Sequence, residues 1–332
     1  MHRIVAVSLL LALAAAAGRS GETNPPQPPA AKQQVKWQTS YGEAREKAAQ
    51  EHGILMLLFV SDACPWCERL KQETLADPKV VQALSTIESV LMAPGNPEYE
   101  ILAQRFGLRG VPHTAFLDED GGVLGRVPGY VPPETFLERI AQARKAKEEH
   151  RQKLTAYQKN PELPSCAVEL VESYMEREQL KDAKAVAQKA AGAIEKAKNL
   201  KPKERDLLRA RLAFANGILA VDLEHDVDAG IASFENAERL ASAHDAELAS
   251  KALWVDAILH FQYNRLKNPE TPAPPSLDDV RKSLALLEQL VQKYPKSGLA
   301  PRAREVAGSL RRKLQQVTAP SRPTPAGPPP GP

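Results

Sequence analysis

Two cysteines held two residues apart, in Cys64-Pro65-Trp66-Cys67, are the groups in this chain best suited to chemistry. Such a pair can close into a disulfide and reopen, holding or releasing two electrons. The apolar run Ile54-Leu55-Met56-Leu57-Leu58-Phe59-Val60 leads into it, and the helix-like stretch Glu68 to Leu75 follows it. Strand, thiol pair, helix is the order in which Cys-x-x-Cys reads as a redox motif. Cys64 is then expected at a helix N-terminus, where unpaired N–H groups and the positive end of the helix dipole stabilise a thiolate. Pro65 falls in the first turn, where its missing N–H costs nothing. Cys-x-x-Cys can also be half of a zinc site, but no second Cys or His pair stands at ligand spacing and the seven histidines are scattered. A Gly-rich phosphate loop, Gly-x-Ser-x-Gly and His-Glu-x-x-His are all absent from the sequence. Neither a cofactor nor a metal is expected.

The elements that must position these thiols read as follows. Ser40 followed by Glu43 signals a capping box, and a helix is expected from Tyr41 to His52, ended by Gly53. Ile54 to Val60 is expected as a central strand buried on both faces. Lys79 to Leu84 reads as a short turn, Ile87 to Ala93 as a second strand, and Glu98 to Phe106 as a helix capped by Gly107. Gly110 to Leu117 opens a strand with Pro112 near its start, the position where proline is tolerated. Asp118 to Gly122 is a hairpin signal, Val123 to Val127 the returning strand, and Glu134 to Ala146 an amphipathic closing helix.

Those pieces, in that order, make Trp37 to about Ala146 resemble a thioredoxin-fold domain. They are the apolar strand into Cys64-Pro65-Trp66-Cys67, then Gly110-Val111-Pro112, the 118–122 hairpin and Gly129. The resemblance is to exported thioredoxin-like proteins with a Cys-Pro-aromatic-Cys centre, and covers roughly a third of the chain. It implies catalytic roles for Cys64 and Cys67, and a cis bond at Pro112, which costs little before proline. It also implies that Val111 offers its backbone to an extended substrate by strand addition. Trp66 would flank the thiols as an apolar contact. Many such proteins carry a buried acid six residues before the first cysteine, and here that place holds Leu58. Deprotonation of Cys67 must then use water or another group. Asp62 and Glu68 are near in sequence, and read more simply as solvated charges. His113 follows Pro112 and is expected to point to the opposite face.

Composition sets the compartment and the partners. The 332 residues suffice for two domains, and a net charge of +3 gives no electrostatic case for nucleic acid. Met1 to Arg3 is a short basic start, Ile4 to Ala17 is apolar, and Ala15-Ala16-Ala17 offers small residues for cleavage. Residues 1–17 are therefore expected as a signal peptide, with an uncleaved anchor the alternative, and no membrane span is expected after cleavage. Export would place the thiols in a periplasmic or secreted, oxidising space. Residues 18–34 are a Pro-rich linker, 35–146 the thioredoxin-like domain, 147–316 a helical-repeat domain, and 317–332 a Pro-rich tail.

Residues 147–316 are rich in Ala, Leu, Glu, Lys and Arg, the strong helix formers. Breaks pair Ser165–Glu178 with Lys181–Lys198, Lys203–Leu223 with Val227–Ala241, and Asp245–Lys267 with Leu277–Tyr294. The stretches Gly230 to Ala237 and Leu290 to Ala303 resemble tetratricopeptide repeats, with a plain helical bundle the alternative. The expected architecture is an α/β thioredoxin fold followed by an all-α, tetratricopeptide-like domain, which would bind a peptide or protein partner. Trp254, Phe261 and Tyr263 are candidates for contacts there or for core. Cys166 is either a reactive or resolving thiol or a small buried apolar residue.

The functional expectation is thiol–disulfide exchange on protein substrates, with the helical domain choosing the client. The motif does not set the direction, since potentials in this fold run from about −270 to about −120 mV. The alternative is a non-enzymatic helical adaptor whose disulfide is structural. A disulfide isomerase is a third reading, and would need two thiol centres held apart.

Overall fold

The structure, a computed structural model, describes residues 34–318. The expected signal peptide, nearly all of the linker and the tail from 319 lie outside the described residues. The first part is a five-stranded sheet in the order β1-β3-β2-β4-β5. Its strands are β1 (Trp37–Gln38), β2 (Ile54–Phe59), β3 (Ile87–Met92), β4 (His113–Asp118) and β5 (Val123–Pro128). The β1–β3 and β3–β2 pairs are parallel, and the β2–β4 and β4–β5 pairs antiparallel.

Side chains alternate across β2, as strand geometry requires. Met56, Leu58 and Val60 enter one core with Phe116, Phe136 and Ile140. Leu55, Leu57 and Phe59 enter the other with Tyr41, Ala44, Leu102 and Phe106. Helices α1 (Tyr41–Glu51) and α4 (Tyr99–Arg105) cover the second face. Helices α2 (Pro65–Arg69), α3 (Pro78–Leu84) and α5 (Pro133–Lys159) cover the first. Ser40 caps α1 by accepting the Glu43 N–H.

Three expectations are corrected. The stretch Glu68 to Leu75, expected as a continuation of the thiol helix, is α-helical only to Arg69, and Leu70–Thr74 winds as a π-helical turn closed by Leu75 N–H to Leu70 C=O. Residues 78–84 are helix rather than turn, because Asp77 accepts the N–H groups of Lys79 and Val80. The helix expected to end at Ala146 runs on to Lys159, since the charged stretch after Ala146 holds no Gly or Pro to stop it. The boundary expected at 146/147 therefore lies within a continuous helix.

Beyond it stand α6 (Pro164–Glu176), α7 (Leu180–Lys196), α8 (Pro202–Asp222), α9 (Val227–Ala241), α10 (Ala246–Lys267), α11 (Leu277–Lys293) and α12 (Ala300–Thr318). They pack in the expected consecutive pairs, α6 on α7, α8 on α9 and α10 on α11. Trp254 and Phe261 pack against the core shared by α10, α11 and α12. The Tyr263 hydroxyl instead donates to Asp228 at 2.7 Å on the surface.

The sheet and the helices are joined at the β4–β5 hairpin. The Asp118 carboxylate accepts the N–H groups of Asp120 and Gly122, both at 2.9 Å, and meets the Arg177 guanidinium. Both partners of that ion pair are almost wholly buried. The Val123 N–H donates to the Arg177 carbonyl at 2.9 Å. Gly122 makes the approach possible, because a Cβ there would stand 2.7 Å from the guanidinium. Further along, His150 of α5 meets the Ser173 hydroxyl of α6 at 2.9 Å and packs on Tyr174.

Close packing within the helical part yields two predictions. Gly217 of α8 lets the Phe234 ring of α9 lie against its backbone, and an added Cβ would come within 2.7 Å of that ring. Gly217→Ala should therefore lower stability in urea unfolding by about 1–2 kcal/mol. Overpacking of about 1–3 kcal/mol outweighs a helix-propensity gain of at most about 1.

Asp256 of α10 is 2% exposed, and its Oδ1 has no hydrogen-bond partner among the described residues. His260 Nε2 lies 3.5 Å away. Burial, with help from Glu235, pushes the Asp256 carboxyl up to about 7. Burial and Lys282 hold His260 below its ordinary value. An acid whose folded pKa exceeds the unfolded one, about 3.9, stabilises at low pH; that stability fades as pH rises towards 7 and is absent above. His260 has the opposite sign in its own window. Asp256→Asn should therefore be more stable than the parent at pH 8, by roughly 1–4 kcal/mol. The gap should close towards pH 4, and a gap independent of pH would contradict this.

Candidate functional site

The site is built where β2 ends and α2 begins. Cys64 is the N-cap of α2, in extended conformation, and Pro65 follows at the first helical position. A proline there donates nothing to the cap, so the free N–H groups are those of the next residues. The Cys67 N–H points at the Cys64 Sγ, 3.1 Å away. The Cys64 carbonyl accepts the N–H groups of Cys67 and Glu68 at 3.1 and 3.2 Å. The two cysteines are joined as a disulfide, with Cα atoms 5.3 Å apart.

The two sulfurs differ in surroundings. Cys64 is partly exposed at the edge of the first core. Cys67 is fully buried in that core, along with Leu58, Val60 and Leu70. Leu58, six residues before Cys64, thus makes the surroundings of Cys67 apolar. Asp62 and Glu68 are both exposed, and Glu68 pairs with Lys71 at 3.0 Å.

The chain before β4 forms the other wall. The Val111–Pro112 peptide is cis. Val111 carbonyl oxygen stands 3.8 Å from Cys64 Sγ. The β4 ladder begins at His113, which leaves Val111 outside the sheet pairing. The Gly129 N–H donates to the Pro112 carbonyl at 2.8 Å, and Gly129 has φ +76°, a conformation that favours glycine. His113 is buried on the far side, its ring 6.5 Å from that of Phe59. Burial, reinforced by Arg126, holds its imidazole below the usual value.

Trp66 is 55% exposed beside the disulfide. Its ring lies 6.0 Å from that of Tyr130, and the Arg69 guanidinium stands 5.6 Å from the indole and 4.5 Å from the phenol ring. The Tyr130 hydroxyl donates to Glu73 at 2.6 Å, and Arg69 Nε donates to the same carboxylate at 3.0 Å. Hydrogen bonds from Tyr130 and then Arg69 hold the Glu73 carboxyl below the usual range. The buried Thr74 hydroxyl donates to the Val131 carbonyl at 2.6 Å. The π-helical turn thus aims Glu73 and Thr74 at the loop after β5. Sequence reasoning missed Arg69, Glu73 and Tyr130, and the one signal available was the aromatic next to Gly129.

Among the sequence-derived site residues, Cys64, Cys67 and Val111 lie together. Pro112 is tied through Gly129 to the loop that carries Tyr130, the neighbour of Trp66. Cys166 is a free, half-buried thiol on α6, in the helical part of the chain. No group of three or more His, Cys, Asp or Glu side chains converges on a metal-sized position among the described residues. No helix among the described residues is long and apolar enough to cross a membrane.

Residues 41–144 match the family model of a thioredoxin-like domain. The chain is 31% identical over 96 residues to the thiol:disulfide interchange protein DsbD of Haemophilus influenzae, covering 28% of this chain and 17% of that protein. It is 32% identical over 96 residues to the chloroplastic thioredoxin-like protein HCF164 of Oryza sativa, covering 29% of this chain and 36% of that one. The aligned stretch is thus about a sixth of the first relative's length and about a third of the second's. Among solved structures, a DsbH oxidoreductase aligns with 38% of this chain and 95% of its own, at 23% identity and a TM-score of 0.32. A thioredoxin from Thermus thermophilus covers 32% of this chain and 85% of its own, at 28% identity and a TM-score of 0.30. The chain therefore carries a thioredoxin-like α/β domain, followed by a largely helical region.

Proposed function

We propose that the protein is a thiol:disulfide oxidoreductase acting on protein substrates through Cys64 and Cys67. The observation that carries this reading is the position of Cys64, partly exposed, as the cap of α2 and bonded to a buried partner three residues on. The similarity to the thiol:disulfide interchange protein DsbD supports the same reaction class.

In the reducing direction the Cys64 thiolate attacks one sulfur of a client disulfide. A Cys64–client disulfide forms, and the other client sulfur leaves as thiolate, to be protonated by solvent. The Cys67 thiolate then attacks the Cys64 sulfur, releasing the client thiol and closing Cys64–Cys67. Two electrons pass from protein to client, and the oxidising direction is the reverse. The thiolate that forms at Cys64 in either direction is the species the α2 N-terminus stabilises. Cys67 loses its proton in an apolar surround, so that proton leaves by way of water admitted once the first exchange has opened the site. Val111 and Pro112 form the wall along which an extended client segment lies, with the Val111 backbone, which lies outside the sheet pairing, as its strand-addition contact. Trp66 supplies the apolar contact on the other side.

Export to a periplasmic or secreted space is supported by the composition of residues 1–17. The successive helix pairs support a repeat-like array, and its part in the reading is to choose the client.

A second reading, a binding module built on the helices, is favoured by a cleft of about 770 Å³ between the hairpin and the array. Val123, Phe214, Ile218 and Leu248 line it, with Glu176, Asp222 and Lys251 among its charged residues.

Insulin reduction with dithiothreitol separates the two. Wild type should accelerate it, and Cys64→Ser should fall to the rate of dithiothreitol alone. Cys67→Ser should accumulate clients as mixed disulfides visible on non-reducing gels and nameable by mass spectrometry. Equal rates for wild type and Cys64→Ser would favour the binding module.

A further inference from the structure

We propose that Tyr130, with Trp66 and Arg69, forms a client-selecting platform that favours an aromatic or large aliphatic side chain beside the exchanging cysteine. This rests on the exchange reading above.

Three features of the geometry carry it. The platform is open in part: Trp66 is 55% exposed and Tyr130 half-buried against the first core, with their rings 6.0 Å apart and tilted by 35° and the Arg69 guanidinium against both. It is also fixed. Glu73 holds the Tyr130 hydroxyl at 2.6 Å and Arg69 at 3.0 Å, and Thr74 holds the next residue of the loop, Val131, at 2.6 Å. Finally, it spans the site. Tyr130 is bound to the thiol helix through Glu73 and, through its neighbour Gly129, to the Pro112 carbonyl at 2.8 Å.

A client cysteine that reaches Cys64 along Val111 therefore places its neighbouring side chain over this surface. The charges of the platform are spent internally, Arg69 on Glu73 and Lys71 on Glu68. A charged client side chain finds no unpaired partner among them and loses water. An apolar or aromatic one gains burial, and ring-on-ring or ring-on-guanidinium contact. Pre-fixed aromatic surface also costs little conformational entropy on binding. Tyr130 is thus assigned as a substrate-contact residue that sets specificity, and Glu73 as a positioning residue that acts through it.

The test uses full-length reduced protein, freed of dithiothreitol. Two short peptides differ only in the residue before a single cysteine, Phe or Ser, and that cysteine is held as a disulfide with glutathione. The Cys64 thiolate attacks the peptide sulfur and releases glutathione thiolate. Cys67 then attacks Cys64 and releases the peptide thiol. Single-turnover rates are read for both peptides and for oxidised glutathione. Wild type should prefer the Phe peptide roughly tenfold. Tyr130→Ala should bring the two peptides to within about twofold of each other, the rate on the Phe peptide falling most of the three. Tyr130→Phe, which keeps the ring and loses the Glu73 bond, should show a preference smaller than that of wild type and larger than that of Tyr130→Ala. Exchange by wild type without a preference overturns the platform, as does an equal loss on all three substrates in Tyr130→Ala. No exchange with any of the three overturns the exchange reading itself, and the platform with it.

Discussion

The Cys67 N–H that points at the Cys64 sulfur, 3.1 Å away, is the contact from which the proposed chemistry follows. It exists because Cys64 sits at the cap rather than inside α2, in extended conformation, with Pro65 starting the helix. A sulfur in that place meets the unpaired donors and the positive end of the helix dipole. The same sulfur, bonded to a neutral partner in the disulfide, gains far less. In the proposed exchange, this arrangement acts on the thiolate released at Cys64, whichever way the electrons pass. Everything else in the α/β part keeps this cap in place. β2 is buried on both faces and sets where the helix begins, and Cys67 is locked into the core beneath it.

The helical region is held at the other end of the sheet. β4 runs from His113, opposite Phe59 at the thiol end, to Asp118, opposite Ile54, a span of about 17 Å. Arg177 of the helical region is joined to Asp118 and Val123, and α5 crosses from one part to the other without a break. A buried ion pair of this kind adds little net stability, because both charges give up water. What it contributes is location: removing either partner would strand the other charge. Arg177, at the end of α6, is thus tied to the end of the sheet opposite the thiols. A partner lodged in the cleft by the hairpin would be held at the far end of the sheet from Cys64.

The parts of this architecture written in local sequence were legible. β2 is an unbroken apolar run, and α9 begins and ends at Val227 and Ala241, where Asp226 and the residues after Ala241 mark it. The helix pairing followed from breaks at Pro and Asn and at Glu224-His225-Asp226. Features that depend on distant residues were not legible. The π-helical turn 70–74 is coupled to the Thr74 bond to Val131, 57 residues away. The Arg177–Asp118 pair joins two charges that each look like ordinary surface residues in sequence. The length of α5 was missed because an expected domain end was placed in a stretch that has no helix breaker. Of the candidate site, the thiols and the Val111-Pro112 wall came from a motif and a resemblance. Tyr130 carries no motif, and only its tie to Glu73 and its place beside Trp66 and Arg69 single it out.

The central claim is that the α2 N-terminus keeps Cys64 ionised and reachable. Iodoacetamide alkylation of the reduced protein at pH 7, mapped residue by residue with mass spectrometry, measures this directly. Donor and dipole stabilisation of roughly 1–2 kcal/mol corresponds to alkylation about tenfold faster at Cys64 than at free cysteine, with Cys67 and Cys166 lagging behind. Alkylation of Cys64 no faster than free cysteine, or slower than Cys67, would contradict the account.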